Sequence, residues 1–165
     1  MIVNSFLKKT FAKQIQEIFD KCLAQKLKFA CAESCTGGLL SALFTEFSGI
    51  SQVFEAGLVT YSNQAKINFL GVNKKTLSNS GAVSKEVAIQ MAQGALRNCE
   101  VDFAIAITGI AGPNGGSDKK PVGLVYIAFA SFDKNIVKAF NFSSERSEVR
   151  FNAVLESLKI INENI

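Results

Sequence analysis

Residues Leu27–Gly38 read Leu-Lys-Phe-Ala-Cys-Ala-Glu-Ser-Cys-Thr-Gly-Gly, and the change of character inside this stretch decides the fold. Leu27 to Ala32 has the short, nearly continuous apolar pattern of a buried strand. A polar turn follows, and from Thr36 the sequence turns helical through about Phe47, where Ser48-Gly49 closes the helix. A buried strand feeding a helix through a polar turn is the building unit of α/β proteins.

The flanking sequence extends this unit in both directions. Upstream, from about Ser5 to Gln25, Phe6, Leu7, Phe11, Ile15, Ile18, Phe19 and Leu23 recur at helical spacing. Downstream, Ala56 to Tyr61 reads as a second strand. Ser62 can cap a helix that runs to about Leu70 and stops at Gly71. A short turn or helix falls at Lys74 to Leu77, and Ser84 opens an amphipathic helix through about Asn98. Phe103 to Ile107 is a third strand, and Gly109 to Pro121 is a loop holding both prolines, Pro113 and Pro121. Val122 to Ala130 and Asn135 to Phe142 form an antiparallel hairpin across Asp133-Lys134. The last helix spans Ser144 to Ile161. Helices alternating with strands early and a hairpin late predict a three-layer α/β/α sandwich around a mixed, mostly parallel sheet of about five strands. The 165 residues suit one domain, 1–165.

Composition narrows the chemistry. Hydrophobic residues make up 48% and charged residues 19%, which excludes a disordered chain. The net charge of +4 comes from scattered lysines and arginines, so a nucleic-acid partner is not expected. A local site for a small anion fits a few placed cations better. No apolar run has the length of a membrane span, and Met1 to Lys9 lacks the order of a secretory signal. Cys22, Cys31, Cys35 and Cys99 then read as free thiols of a reducing, cytoplasmic compartment. Cys31 and Cys35 alone are too few for a zinc site, and no metal or cofactor is expected.

The chain contains no histidine. That removes Ser-His-Asp, Cys-His and histidine-ligated metal chemistry, and leaves Lys, Asp, Glu, Tyr or an amino terminus as a general base.

Sites of open α/β sheets gather where strands end and helices begin. Three such turns are polar or glycine-rich: Glu33 to Gly38, Thr60 to Lys66, and Thr108 to Pro113. If the strands are parallel neighbours, all three lie on one edge. In the first turn Ser34 is a candidate nucleophile, with backbone N–H groups of Thr36, Gly37 and Gly38 available to an oxyanion or phosphate. The same residues also read as a helix cap, Ser34 or Thr36, with glycines that permit close packing. In the second turn Lys66 falls at the end of a helical first turn, where the dipole and partial burial favour the neutral amine. A neutral lysine can take a serine proton, and Tyr61 can relay it or donate to substrate. The alternative is an ordinary solvated lysine. In the third turn Thr108 can bond a ligand, and Gly109 and Gly112 permit close backbone approach, unless the segment is only a long surface loop. Arg146 and Arg150 share one helix face and suit a phosphate, or else pair with Glu145 and Glu148. Cys35 is a rival nucleophile without a histidine to activate it.

Taken together, AESCTGGLLS, VTYSNQAKINFLGV, GAVSKEVAIQMAQGAL, ITGIAGPNGGSDKKPVGLVY and FSSERSEVR resemble the CinA C-terminal domain family over roughly Leu7 to Leu158. The resemblance implies the three-layer α/β/α fold. It also implies hydrolysis of nicotinamide mononucleotide to nicotinate mononucleotide and ammonia, the activity of the family's stand-alone members. By match to the family's motifs, Ser34 is then the nucleophile, Lys66 the base with Tyr61 beside it, the Gly109 to Pro113 loop a nucleotide contact, and Arg146 the family's arginine. Ser144 stands where the family often has glycine. The N-terminal nucleotide-processing domain of full-length CinA proteins is not expected here. The expected partners are a small nucleotide substrate and further copies of the chain, a dimer or larger; Phe residues on the first or last helix read either as that interface or as core. Two rival functions are a non-catalytic nucleotide-binding regulatory module and an amidase for another pyridine or nucleotide amide.

Overall fold

The structure is a computed structural model that describes residues 5–165, with side chains from Phe11 onward. The expected apolar contributions of Phe6 and Leu7, and the reading of Met1 to Lys9, lie outside that description. The elements run α1 (Ser5–Gln25), β1 (Phe29–Glu33), α2 (Leu39–Thr45), a 3-10 turn (Ile50–Gln52), β2 (Phe54–Val59), α3 (Asn63–Leu70), α4 (Lys74–Ser80), α5 (Lys85–Asn98), β3 (Phe103–Gly109), β4 (Leu124–Ser131), β5 (Asn135–Asn141) and α6 (Arg146–Asn164).

One five-stranded mixed sheet has the order β2-β1-β3-β4-β5. β1 pairs in parallel with both β2 and β3, and the hairpin adds two antiparallel pairings, β3 with β4 and β4 with β5. The three site-bearing turns therefore do leave the sheet at one edge. The chain passes from β1 to β2 on one side and returns to β3 on the other, so β1 and β3 flank the crevice where open α/β sheets place their ligands.

The buried strands look uniformly apolar but alternate in size. Phe29 and Cys31, then Phe103, Ile105 and Ile107, then Val125, Ile127 and Phe129 face α1, α2 and α6. Ala30 and Ala32, Ala104 and Ala106, and Ala128 and Ala130 face α3, α4 and α5. Successive strand side chains point to opposite faces, so this period of two assigns bulk to one layer and lets α5 lie close on the other. Phe11 and Phe151 pack with tilted rings, centroids 4.8 Å apart, within the first layer. Phe19 also packs against that core, so these phenylalanines of the first and last helices serve the chain's own interior. Among the described residues, no helix is long and apolar enough to cross a membrane.

Two boundaries differ from expectation in ways that matter for the site. α2 starts at Leu39 rather than Thr36, because Gly37 and Gly38 take left-handed conformations, φ 60° and 91°, that break the helical path. β2 runs Phe54–Val59 rather than Ala56 to Tyr61, which leaves Thr60 and Tyr61 in the turn that leads to α3.

Candidate active site

Ser34 directly follows β1, and its backbone N–H donates to Ile107 O of β3 at 3.0 Å. This bond continues the β1–β3 ladder by one residue and holds Ser34 at the crevice. Lys66 comes from α3, where Ser62 is the cap: its hydroxyl accepts from Ala65 N at 3.0 Å, as expected. Lys66 then sits one turn in, and its stem runs under the sheet edge until only 1% of the residue is exposed.

The two side chains meet. Lys66 Nζ lies 2.9 Å from Ser34 Oγ, 2.7 Å from Thr60 O and 3.5 Å from Tyr61 O. No carboxylate of the described residues forms an ion pair with it. Burial without a counter-ion disfavours the ammonium and lowers the Lys66 pKa to about 8. The solvated-lysine alternative is excluded by this burial. When neutral, Nζ accepts from the Ser34 hydroxyl while its own N–H donates to Thr60 O.

A cavity of about 270 Å³ opens over this pair. Ser34, Cys35, Tyr61 and Lys66 line one side, and Thr108 to Gly112, Asn114 and Gly115 the other. Ala82 and Val83 close one wall, and Arg146 sits at its mouth. That wall is tied down twice: Thr108 Oγ1 donates to Ala82 O at 2.8 Å, and Lys120 Nζ donates to Val83 O at 2.7 Å and to Ser80 O. The long glycine-rich loop is thus clamped to the turn before α5 rather than loose on the surface.

Several sequence-predicted roles change. Tyr61 is 63% exposed, and its hydroxyl accepts from Arg146 Nη2 at 3.1 Å instead of facing Lys66. Because the Ser34–Lys66 contact is direct, this geometry has no place for a proton relay through Tyr61. Thr36, Gly37 and Gly38 do not line the cavity. Gly37 N donates to Ser34 O at 3.0 Å and Gly38 N to Glu33 Oε2 at 3.1 Å, so neither amide is free for an oxyanion. The amides of Ala111 and Gly112, which line the cavity, have no partner among the described residues, and that of Cys35 faces its own thiol. Neither Ser34 nor Thr36 caps α2.

The arginines divide their tasks. Arg150 Nε and Nη2 donate to Thr36 O at 3.2 and 2.7 Å, which ties α6 to the Ser34 turn and takes Arg150 away from any ligand. Arg146, one turn earlier, donates Nη1 to Gly112 O at 2.8 Å and remains at the cavity. Cys35 lies beside Ser34, but burial pushes its thiol up to about 11, so it stays protonated and is no rival nucleophile.

Sequence reasoning missed Glu33. It is fully buried, and its carboxylate accepts from Gly38 N at 3.1 Å, Leu40 N at 3.2 Å, Ser41 N at 2.9 Å and Ser41 Oγ at 2.6 Å. It is the true cap of α2, reaching forward from the end of β1. The available signal was a carboxylate that ends an otherwise apolar strand, a position that is costly unless several donors converge on it.

Fold and site together define a three-layer α/β protein with a buried serine–lysine pair at the crevice between its parallel strands. The chain belongs to the CinA C-terminal domain family, whose model matches residues 11–165. It is 45% identical over 161 residues to a protein of Thermoanaerobacter pseudethanolicus named as competence-damage inducible, covering 97% of this chain and 39% of the relative. A namesake from Caldicellulosiruptor saccharolyticus is 49% identical over 154 residues, 92% of this chain and 37% of the relative. The chain therefore spans less than two fifths of the length of these curated relatives. Among solved structures, the competence/damage inducible protein CihA from Agrobacterium tumefaciens superposes with a TM-score of 0.88 at 41% identity, covering 90% of this chain and 92% of that one. The competence damage-inducible protein A from Klebsiella pneumoniae gives 0.89 at 33% identity, with 92% and 94% covered.

Proposed function

We propose that the chain is an amidohydrolase that converts nicotinamide mononucleotide to nicotinate mononucleotide and ammonia. The observation that carries this reading is the 2.9 Å contact between Ser34 Oγ and a buried, unpaired Lys66 Nζ. With a pKa of about 8, roughly a tenth of Lys66 is neutral at pH 7, enough to act as a base for a hydroxyl next to it.

In the proposed steps, Ser34 Oγ bonds to the carboxamide carbon as its proton passes to Lys66 Nζ. The unpartnered amides of Ala111 and Gly112, which line the cavity, are available to the oxyanion. The lysine returns the proton to the leaving nitrogen, and ammonia departs. Water, deprotonated by the same lysine, then cleaves the acyl-enzyme. The pyridine ring occupies the cavity between Val83 and the Ile110–Ala111 backbone, and Arg146 takes the phosphate at its mouth. The choice of substrate comes from the resemblance to the family's stand-alone members, and the serine–lysine pair and Arg146 in one cavity support an amide that carries an anionic group.

Ammonia release from nicotinamide mononucleotide by the wild type, Ser34→Ala and Lys66→Ala tests the proposal. Loss of turnover by about 10³-fold or more in both variants is expected, as general-base and nucleophile removals typically give. Unchanged turnover in either variant overturns the pair, and binding without any turnover by the wild type favours a regulatory nucleotide-binding module.

A further inference from the structure

Glu33 occupies an unusual place in this site. Its side chain accepts four hydrogen bonds from Gly38, Leu40 and Ser41. Its backbone does as much: Glu33 O accepts from Thr60 N at 2.8 Å, and Thr60 O in turn accepts from Lys66 Nζ at 2.7 Å. One residue therefore anchors both halves of the pair. The carboxylate fixes the far end of the Ser34-to-Gly37 turn, and the carbonyl fixes the peptide that orients Lys66.

Space is reserved for this arrangement. A Cβ on Gly57 of β2 would lie 2.2 Å from Ser41 Oγ, so any side chain there would push Ser41 off Glu33. The carboxylate also takes the amide of Gly38, which is thereby unavailable to a ligand.

We infer that Glu33 is a positioning residue for the reaction: it sets the direction of Ser34 Oγ toward Lys66. The inference rests on Ser34 being the nucleophile. Glu33→Gln is the discriminating change, since the glutamine oxygen can still accept from Ser41 but its NH₂ faces the Gly38 and Leu40 amides, donor against donor.

The test measures how fast an alkyl fluorophosphonate labels Ser34, followed by intact mass as the serine oxygen displaces fluoride from phosphorus. Thermal melts confirm that each variant is folded at the assay temperature, and ammonia release is measured alongside. Folded Glu33→Gln is expected to label at least tenfold more slowly. Its kcat on nicotinamide mononucleotide should fall in parallel with little change in KM, and the pH midpoint should stay near that of the wild type. Ser41→Ala removes one bond of the four and should slow labelling a few-fold. Labelling of folded Glu33→Gln at the wild-type rate overturns the inference and makes Glu33 purely structural. If Glu33→Gln does not fold, Ser41→Ala decides the matter, and a wild-type rate there overturns the inference. A wild type that resists labelling at Ser34 while Ser34→Ala still releases ammonia sinks the nucleophile assignment itself, and the inference with it.

Discussion

The two ends of the parallel strands are built from opposite materials. At the starting end, Phe29 stacks on Phe103 at 5.2 Å and Phe103 on Phe129 at 5.3 Å, with Phe44 and Phe54 closing on Phe29. At the finishing end of the same strands, Glu33, Ser34, Thr60, Lys66 and Thr108 are buried polar groups. The rings at one end contribute packing and area burial. The polar groups at the other cost desolvation that each must recover through hydrogen bonds. Glu33 and Thr108 recover it fully or nearly so, whereas among the described residues the Thr60 hydroxyl has no partner and Lys66 has no counter-ion and retains a destabilised charge. The difference teaches that stability is concentrated at one end and chemistry at the other, about one strand length apart.

Breaking the apolar end should give the largest change in stability. Phe103 is 2% exposed within the ring stack, and Phe103→Ala should lower the unfolding free energy by about 3–5 kcal/mol in urea titrations. Ammonia release per folded molecule should stay near wild type, because no ring of that stack lines the cavity.

Breaking the polar end should do the reverse. Lys66 has a folded pKa lowered from 10.5 to about 8. Between these values the unfolded chain holds a proton that the folded one has released, so stability rises with pH across that window, by on the order of 3 kcal/mol. Below about pH 8 both states are protonated and the folded protein bears the full burial cost. Lys66→Met should therefore abolish turnover yet raise stability at pH 7 and flatten the rise between pH 8 and 10.5, as read by denaturation at several pH values. In the wild type, kcat should climb with pH through a midpoint near 8, as the amine becomes neutral. A melting temperature that falls on Lys66→Met contradicts the picture of a destabilised lysine.

The smallest effect sharpens the contrast within one helix. Arg146→Ala should raise KM about tenfold to a hundredfold, as the loss of a charge-assisted contact of roughly 1.5–3 kcal/mol implies. Arg150→Ala should leave KM close to wild type, since Arg150 is committed to Thr36 O. Equal rises in KM for both arginines would show that the mouth of the cavity is wider than the described geometry.

The order of the elements was readable because it rests on local signals. Gly71 stops α3, Ser62 and Ser84 cap α3 and α5, and the Ile- and Ala-rich run at Phe103 forms the expected buried strand, whereas α2 ends at Thr45, short of the expected Ser48-Gly49 stop, and Gly49 instead opens the 3-10 turn. The start of α2 was not readable, because the cap comes from five residues upstream rather than from the expected Ser34 or Thr36. In the site, the missing histidine left lysine as one of several possible bases, the strand ends marked Ser34 and Lys66 as candidates beside plainer readings, and the family resemblance singled them out. The paired arginines were seen to share a face, but one turn of helix was enough to send Arg150 to the Ser34 turn and Arg146 to the cavity.

By itself, then, the sequence determined which segments are helices and strands, that the buried strands carry bulk on alternate residues, and which residue types were left to act as base. These follow from backbone periodicity and from composition, which are properties of the chain alone. Tertiary structure alone decided that Ser34 and Lys66, 32 positions apart, stand 2.9 Å from each other, and that Tyr61 turns to Arg146. It also decided that Glu33 consumes the amide of Gly38. The reason is physical. A hydrogen bond between distant residues depends on strand order and register to within a fraction of an ångström, and a lysine's pKa depends on how much water the whole fold leaves around it.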